Sequence, residues 1–146
     1  MMTCMATAAP TMKLRSPVSS EDPRLVHLGL CFLRVCVGLS LVSIYGLTRL
    51  IDGGNHIFEG QDWRFVRIVA SIGFPFPVVF AMASALVETV GAVLLATGLL
   101  TRLSAGLIAF NMLVAVYFHL RLGEPLEPAS LYLVSSLALL LSGGGR

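Results

Sequence analysis

The chain has 146 residues, of which 56% are apolar and only 12% charged, with a formal net charge of +2 and a mean hydropathy of +0.87. A soluble domain of this length needs a polar shell that this composition cannot supply, so lipid must form part of its solvent. The charge is scattered, with no Lys or Arg run dense enough to follow a phosphate backbone, which excludes a nucleic-acid partner.

Residues 1–24 are polar and rich in Thr, Ser, Pro and Ala. They show no helical or strand period and are expected to be a disordered tail. The apolar run that follows is too long for a signal-peptide core and has no cleavage-type exit, so it reads as a retained helix. This first span covers about 25–51, carries Arg34 inside it, and is expected to stop at Asp52-Gly53-Gly54-Asn55. The segment to Phe76 contains Trp63, Arg64, Phe65 and Arg67, the composition of an interfacial loop or short helix. The loop as a whole is taken as 52–76.

The second span is expected over about 77–100, with Pro75 and Pro77 tolerated in its approach and first turn. Thr101-Arg102 reads as a tight connection, and the third span as 103–122. Gly123-Glu124-Pro125 turns the chain, and a fourth span follows over about 127–142. That last run is short for a hydrocarbon core of about 30 Å. The expected architecture is an all-α, integral membrane four-helix bundle within residues 25–146.

Internal charge does not forbid these spans. Val78 to Leu100 holds 11 Leu, Ile, Phe or Val residues, each favouring insertion by about 0.3–0.6 kcal/mol against a penalty of about 3 kcal/mol for one central carboxylate. Four spans put both termini on one side. Lys13, Arg15, Arg24, Arg102 and Arg146 would lie there, and Arg49, Arg64, Arg67 and Arg121 opposite. The excess of positive charge, though slight, places the termini in the cytoplasm.

Glu88 is the most informative residue, because an ionisable group in mid-span is expensive and marks a functional site. Ala81, Ser84, Ala85, Gly91 and Ala92 share its helical face, a stripe of small residues that lets another helix approach. Arg34 lies at a matching depth in the first span, on a face that continues through Gly38, Leu41, Tyr45 and Arg49, so an Arg34–Glu88 ion pair is expected. Asn111 and His119 come from the third span, with Ser104 and Ala115 on roughly their face, and Tyr132 and Ser135 from the fourth. The candidate intramembrane polar site is therefore Arg34, Tyr45, Glu88, Asn111 and His119. Arg49 and Arg102 are assigned to a loop or turn. Such a cluster could bind a polar headgroup, relay protons or cement the helices.

No metal site is expected. His27, His56 and His119 share no ligand spacing, and a haem between two of them has as little support. Cys31 and Cys36 are turned about 140° apart on a helix and read as apolar fillers. No nucleophile elbow, P-loop or dinucleotide fingerprint occurs, and the glycine pairs read as helix stops.

These elements, taken in order, resemble the DoxX-like family of small four-helix membrane proteins, related to the membrane subunit of thiosulfate:quinone oxidoreductases. Leu33-Arg34, Tyr45-Gly46 followed by Arg49, Gly73-Phe74-Pro75-Phe76-Pro77 and Val87-Glu88 carry the first half of the likeness. Gly98-Leu99-Leu100-Thr101-Arg102, Asn111-Met112, Ala115, His119 and the closing glycines Gly143 to Gly145 carry the second. Two features depart from the family pattern, which often has His and Lys where this chain has Tyr45 and Arg49, and ends in Gly-Pro-Gly rather than Gly-Gly-Gly. The resemblance implies a multi-pass protein of the bacterial inner membrane, a quinol oxidase or redox-complex subunit. It would be quinone-linked or tied to oxidant stress, with a redox-complex partner protein or a second copy of itself alongside. Read from the residues alone, a non-catalytic scaffold and a small transporter stay open.

Overall fold

The computed structural model describes residues 23–143, and every described element is helical. The tail expected over 1–24 lies outside the described residues except for its last two positions, as do Gly144, Gly145 and Arg146. Helix α1 spans Arg24–Glu59, α2 Arg64–Ser71, α3 Pro77–Thr97, α4 Thr101–Leu122 and α5 Glu127–Ser142. Helices α1, α3 and α4 are long and apolar enough to cross a membrane, and α5 is a shorter apolar helix.

The first helix does not end where its glycines were expected to stop it. It runs through Asp52, Gly53, Gly54 and Asn55 to Glu59 and stops at Gly60, whose φ of +68° is the left-handed cap that glycine adopts freely. A helical glycine costs about 1 kcal/mol relative to alanine, and a tertiary contact offsets that here. A Cβ on Gly53 would lie 2.9 Å from Trp63 Cη2 and 3.0 Å from Met82 Cε, so the bare backbone is what lets the Trp63 ring come this close to α1. The supposed 52–76 loop is thus the last turns of α1, a short link and α2. The second turn is also shifted. Gly98 to Leu100 makes the reversal, while Thr101 and Arg102 already belong to α4.

The four apolar helices pack around one centre. Helix α1 lies against α3 and α5, and α4 lies against α3 and α5, with each helix contributing a large apolar side chain that is fully buried: Leu41, Leu95, Ile108 and Leu139. The α1–α3 contact is antiparallel and very close. Cβ atoms on Gly38 and Gly46 would lie 2.6 Å from the Ala92 carbonyl oxygen and 2.8 Å from that of Glu88, respectively. Two apolar helices in lipid gain nothing from leaving water, so dispersion at such short approach, made possible by small residues, has to hold them. The outer faces stay apolar, with Phe32, Ile44, Phe110, Leu113 and Val134 all exposed. This is an all-α membrane protein.

A second cluster of Trp63, Val69, Ala81 and Ala85 seats α2 on the first half of α3. Phe65, Ile68, Val69 and Ile72 recur at helical spacing, so α2 presents one apolar face to the bundle end. Both α1 and α3 also contain a π-helical turn, Val42–Gly46 and Val87–Gly91. These wider turns meet each other, and one of them holds Glu88.

Candidate functional site

Glu88 sits where the two π-turns cross, with 1% of its surface exposed. Its neighbours at the crossing are Gly46 and the small residues that precede and follow it on α3. Arg49, one helical turn after Tyr45, sends Nη1 to Glu88 Oε1 as a salt bridge. From α4, Asn111 Nδ2 donates to the same oxygen at 2.9 Å. The other carboxylate oxygen, Oε2, is buried and accepts no hydrogen bond from the described residues. A buried oxygen of this kind is unusual, because leaving a polar group without a partner costs about 1–3 kcal/mol.

Aromatic rings fix the guanidinium of Arg49. Its carbon lies 4.4 Å from the centroid of Phe65 and 5.5 Å from that of Tyr45, distances at which a ring face attracts a cation. Tyr45 in turn meets Tyr132 of α5 edge to face, 6.0 Å between centroids. The cation is therefore positioned by three elements, and α2 holds it from above.

Three cavities meet at this cluster. The largest, of 460 Å³, is walled by α2, α3 and α4 and has Arg49, Glu88, Asn111, His119 and Glu124 at its polar end and Phe74, Phe80 and Phe110 among its apolar lining. Its volume falls in the range of about 300–1,000 Å³ usual for small-molecule sites. A small pocket of 40 Å³, lined by Tyr45, Glu88, His119 and Tyr132 among others, lies towards α5. A basin of 390 Å³ lies on the far side of Arg49, among Asp52, Gln61, Asp62, Trp63 and Arg64. Arg49 borders all three, so it stands between the charged basin and the apolar cavity.

His119 lines the same cavity, and its Nδ1 is 3.3 Å from Glu124 Oε2. The two groups are in contact but lack hydrogen-bond alignment. Glu124 is half exposed, so the pair lies between the cavity and the bundle end.

Of the candidate residues, the structure brings Tyr45, Glu88, Asn111 and His119 together. Arg34 is elsewhere. Its guanidinium covers Gly98 at the opposite end of α3, where a Cβ would lie 2.7 Å from Nη1, and its Nη2 reaches Cys31 Sγ at 3.5 Å. The ion pair expected between Arg34 and Glu88 is therefore formed by Arg49 instead. Arg49 was expected at the outer end of the first span, two residues before its expected end, and was grouped with the loop or turn residues; with α1 running on to Glu59, it lies ten residues inside the helix and faces α3. Arg102, the other loop assignment, lies in the first turn of α4 and donates to the Leu140 and Leu141 carbonyls at 3.3 and 3.5 Å. Sequence reasoning also missed Phe65 and Glu124. The spacing of Phe65, Ile68 and Ile72 was the available sign of the first, and nothing local marks the second.

No curated protein and no solved structure gives a significant match to the chain. The family model described as DoxX matches residues 29–121, an interval that contains Arg49, Glu88, Asn111 and His119. With more than half of its length matched, the chain belongs to the DoxX family.

Proposed function

We propose that this protein is an accessory subunit of a membrane redox system and that the 460 Å³ cavity receives the headgroup of a quinone or quinol. The observation that carries the reading is the buried carboxylate of Glu88, held at Oε1 by Arg49 and Asn111 while Oε2 accepts nothing, beside a cavity lined by aromatic rings. A quinol offers two hydroxyl donors across a flat ring. One of them satisfies Glu88 Oε2, and the ring faces suit Phe80 and Phe110. In the oxidised ligand the same positions are carbonyl acceptors, which suit N–H groups of Arg49 and Asn111.

The residues bind and orient in this reading. Quinol oxidation releases two protons and two electrons; the electrons pass to a partner redox protein, and His119 with Glu124 offers a polar route for protons towards the bundle end. Helix α5 completes a fourth crossing, its 16 residues spanning about 24 Å at 1.5 Å per residue, with local bilayer thinning covering the difference. The slight excess of positive charge on the side of the termini supports a cytoplasmic location for both, in a bacterial-type inner membrane. The basin around Asp52 and Asp62 then faces the external aqueous phase.

Trp63 is the single tryptophan, and it borders the basin next to Phe65, 5.7 Å between ring centroids. Titrating a benzoquinone into purified protein should quench its fluorescence saturably in the wild type, and Glu88→Leu should remove the saturable part. Lipid extraction of protein purified in mild detergent should yield quinone by mass spectrometry. Identical, non-saturating quenching in both proteins together with a quinone-free extract would reject the headgroup reading.

A further inference from the structure

The 460 Å³ cavity shares part of its apolar wall with an adjoining hollow. Ile72, Phe74 and Val114 line it from inside and also line a second, larger hollow of 720 Å³ on the outer surface. That groove lies between the Ile72–Pro75 turn and α4, where Leu113, Tyr117 and Leu120 are 54%, 46% and 62% exposed on the apolar face of the bundle. Gly73 leaves the turn thin. A Cβ built there would meet no atom within 4 Å. The cavity's lining includes Arg49, Glu88, His119 and Glu124, whereas none of the groove's lining residues is charged, so the two adjoining hollows together are amphipathic.

We propose that the groove holds the hydrocarbon tail of the ligand whose headgroup lies at Glu88, and that the ligand enters sideways from the bilayer between the Ile72–Pro75 turn and α4. The substrate class is therefore a membrane-dissolved, long-tailed quinol rather than a water-soluble one. The inference rests on the headgroup reading above, because the tail is placed by the wall that the groove shares with that cavity. Transfer of the tail from lipid to groove gains little free energy, as both are apolar. Shape and lateral access, rather than hydrophobic affinity, are what the groove supplies.

The test uses full-length protein in liposomes and two photoreactive probes: a decyl-tailed benzoquinol with a diazirine at the tail end, and a decyl alcohol with the same diazirine. Labelled peptides are mapped by mass spectrometry. The quinol should label the Ile72–Pro75 and Tyr117–Leu120 segments several-fold more than the alcohol does, excess untagged quinol should suppress that labelling, and Val116→Phe, which fills part of the groove without lining the 460 Å³ cavity, should reduce it several-fold. The same variant should leave saturable Trp63 quenching by a tail-less benzoquinone within twofold of wild type. The tail site is overturned by quinol labelling spread over all exposed helix faces, or by labelling of these segments that Val116→Phe leaves unchanged. If quinol and alcohol label the groove equally and Glu88→Leu changes neither, the headgroup reading fails instead and the groove is an ordinary lipid contact. Retained Glu88-dependent quenching with no groove labelling refutes the tail site alone.

Discussion

Helix α1 carries two arginines inside the apolar part of the molecule, and the two are used differently. Arg34 lies over the backbone of Gly98, at the end of the bundle nearer the termini, where the α3–α4 reversal leaves carbonyls and a left-handed glycine. Arg49 is held between aromatic rings against a buried carboxylate and borders three cavities. The same side chain thus covers a helix end in one place and forms a charge pair at a ligand-sized space in the other. What separates them is the partner that α3 presents: a bare backbone beside Arg34, and a carboxylate on a π-turn beside Arg49. Widened turns of this kind are found often at functional sites, since they redirect one or two side chains without ending the helix.

Breaking the Arg49–Glu88 pair should give the largest effect. Arg49→Met leaves the buried Glu88 without its counter-ion and should destabilise the protein by about 3–5 kcal/mol, and Glu88→Leu, which leaves the partly exposed Arg49 behind, should cost less. The double variant removes both charges and should recover most of that loss while still failing to bind quinone. Unfolding in detergent, monitored as a double-mutant cycle, measures the coupling. Arg34→Met sharpens the contrast, because it should leave saturable quenching of Trp63 at wild-type strength. Equal loss of quenching in Arg34→Met and Arg49→Met would erase the distinction between the two ends.

The next effect lies in the contact that positions Glu88. A Cβ at Gly46 would sit 2.8 Å from the Glu88 carbonyl oxygen and 2.9 Å from Thr89 Oγ1. Backbone cannot move aside as a flexible side chain would. Gly46→Leu should therefore force α1 and α3 apart and destabilise by about 1–3 kcal/mol through overpacking, with quenching weakened in parallel as the pair is stretched. Gly54 offers the control, since a Cβ there meets nothing within 4 Å. Gly54→Ala should leave both readouts at or slightly above wild type, because alanine is the better helix former.

Gly98 belongs to the other end and carries a smaller strain. Its φ of +81° disfavours any L side chain, and its would-be Cβ meets the far end of Arg34, which can swing away. Gly98→Ala should thus cost about 1–2 kcal/mol, most of it backbone strain. Combining it with Arg34→Met should relieve only the steric part, and quinone quenching should be indifferent to both.

These contrasts also show what could be read before the fold was known. Long apolar runs were legible because lipid tolerates few other sequences, and Glu88 stood out because a carboxylate in mid-span is expensive. The small-residue stripe around it predicted an inward direction, and Ala81, Ala85, Gly91 and Ala92 do lie on the side that packs against other helices. Its partner was misassigned for a physical reason. Gly53-Gly54 is a strong local stop signal, and only Trp63, ten residues beyond Gly53 and folded back over it, shows why the helix continues. Ending α1 at Ile51 put Arg49 at the outer edge of the span, and Arg34 was paired with Glu88 because the sequence put the two at matching depths. The π-turns were equally hidden, because they arise from the close crossing of two helices rather than from the propensity of Val42–Gly46 or Val87–Gly91.

Arg102 closes the comparison as a third arginine, at the same end as Arg34 and with a purely capping geometry. From the first turn of α4 it donates Nε to the Leu140 carbonyl and Nη2 to that of Leu141, two acceptors in the last turn of α5 that have no later amide within the helix to satisfy them. A cation there also opposes the negative end of the α5 dipole. Because the side chain is exposed, water and headgroups can replace much of this, and Arg102→Met should destabilise by only about 0.3–1 kcal/mol. Lysine keeps the charge but lacks the planar fork that reaches two carbonyls at once, so Arg102→Lys should fall between Met and wild type. Hydrogen exchange gives the sharper readout. Loss of the cap should raise exchange in the last turn of α5 and leave Glu88, Asn111 and Trp63 quenching untouched, whereas a change at those residues would mean that the two ends of the bundle are coupled through α4.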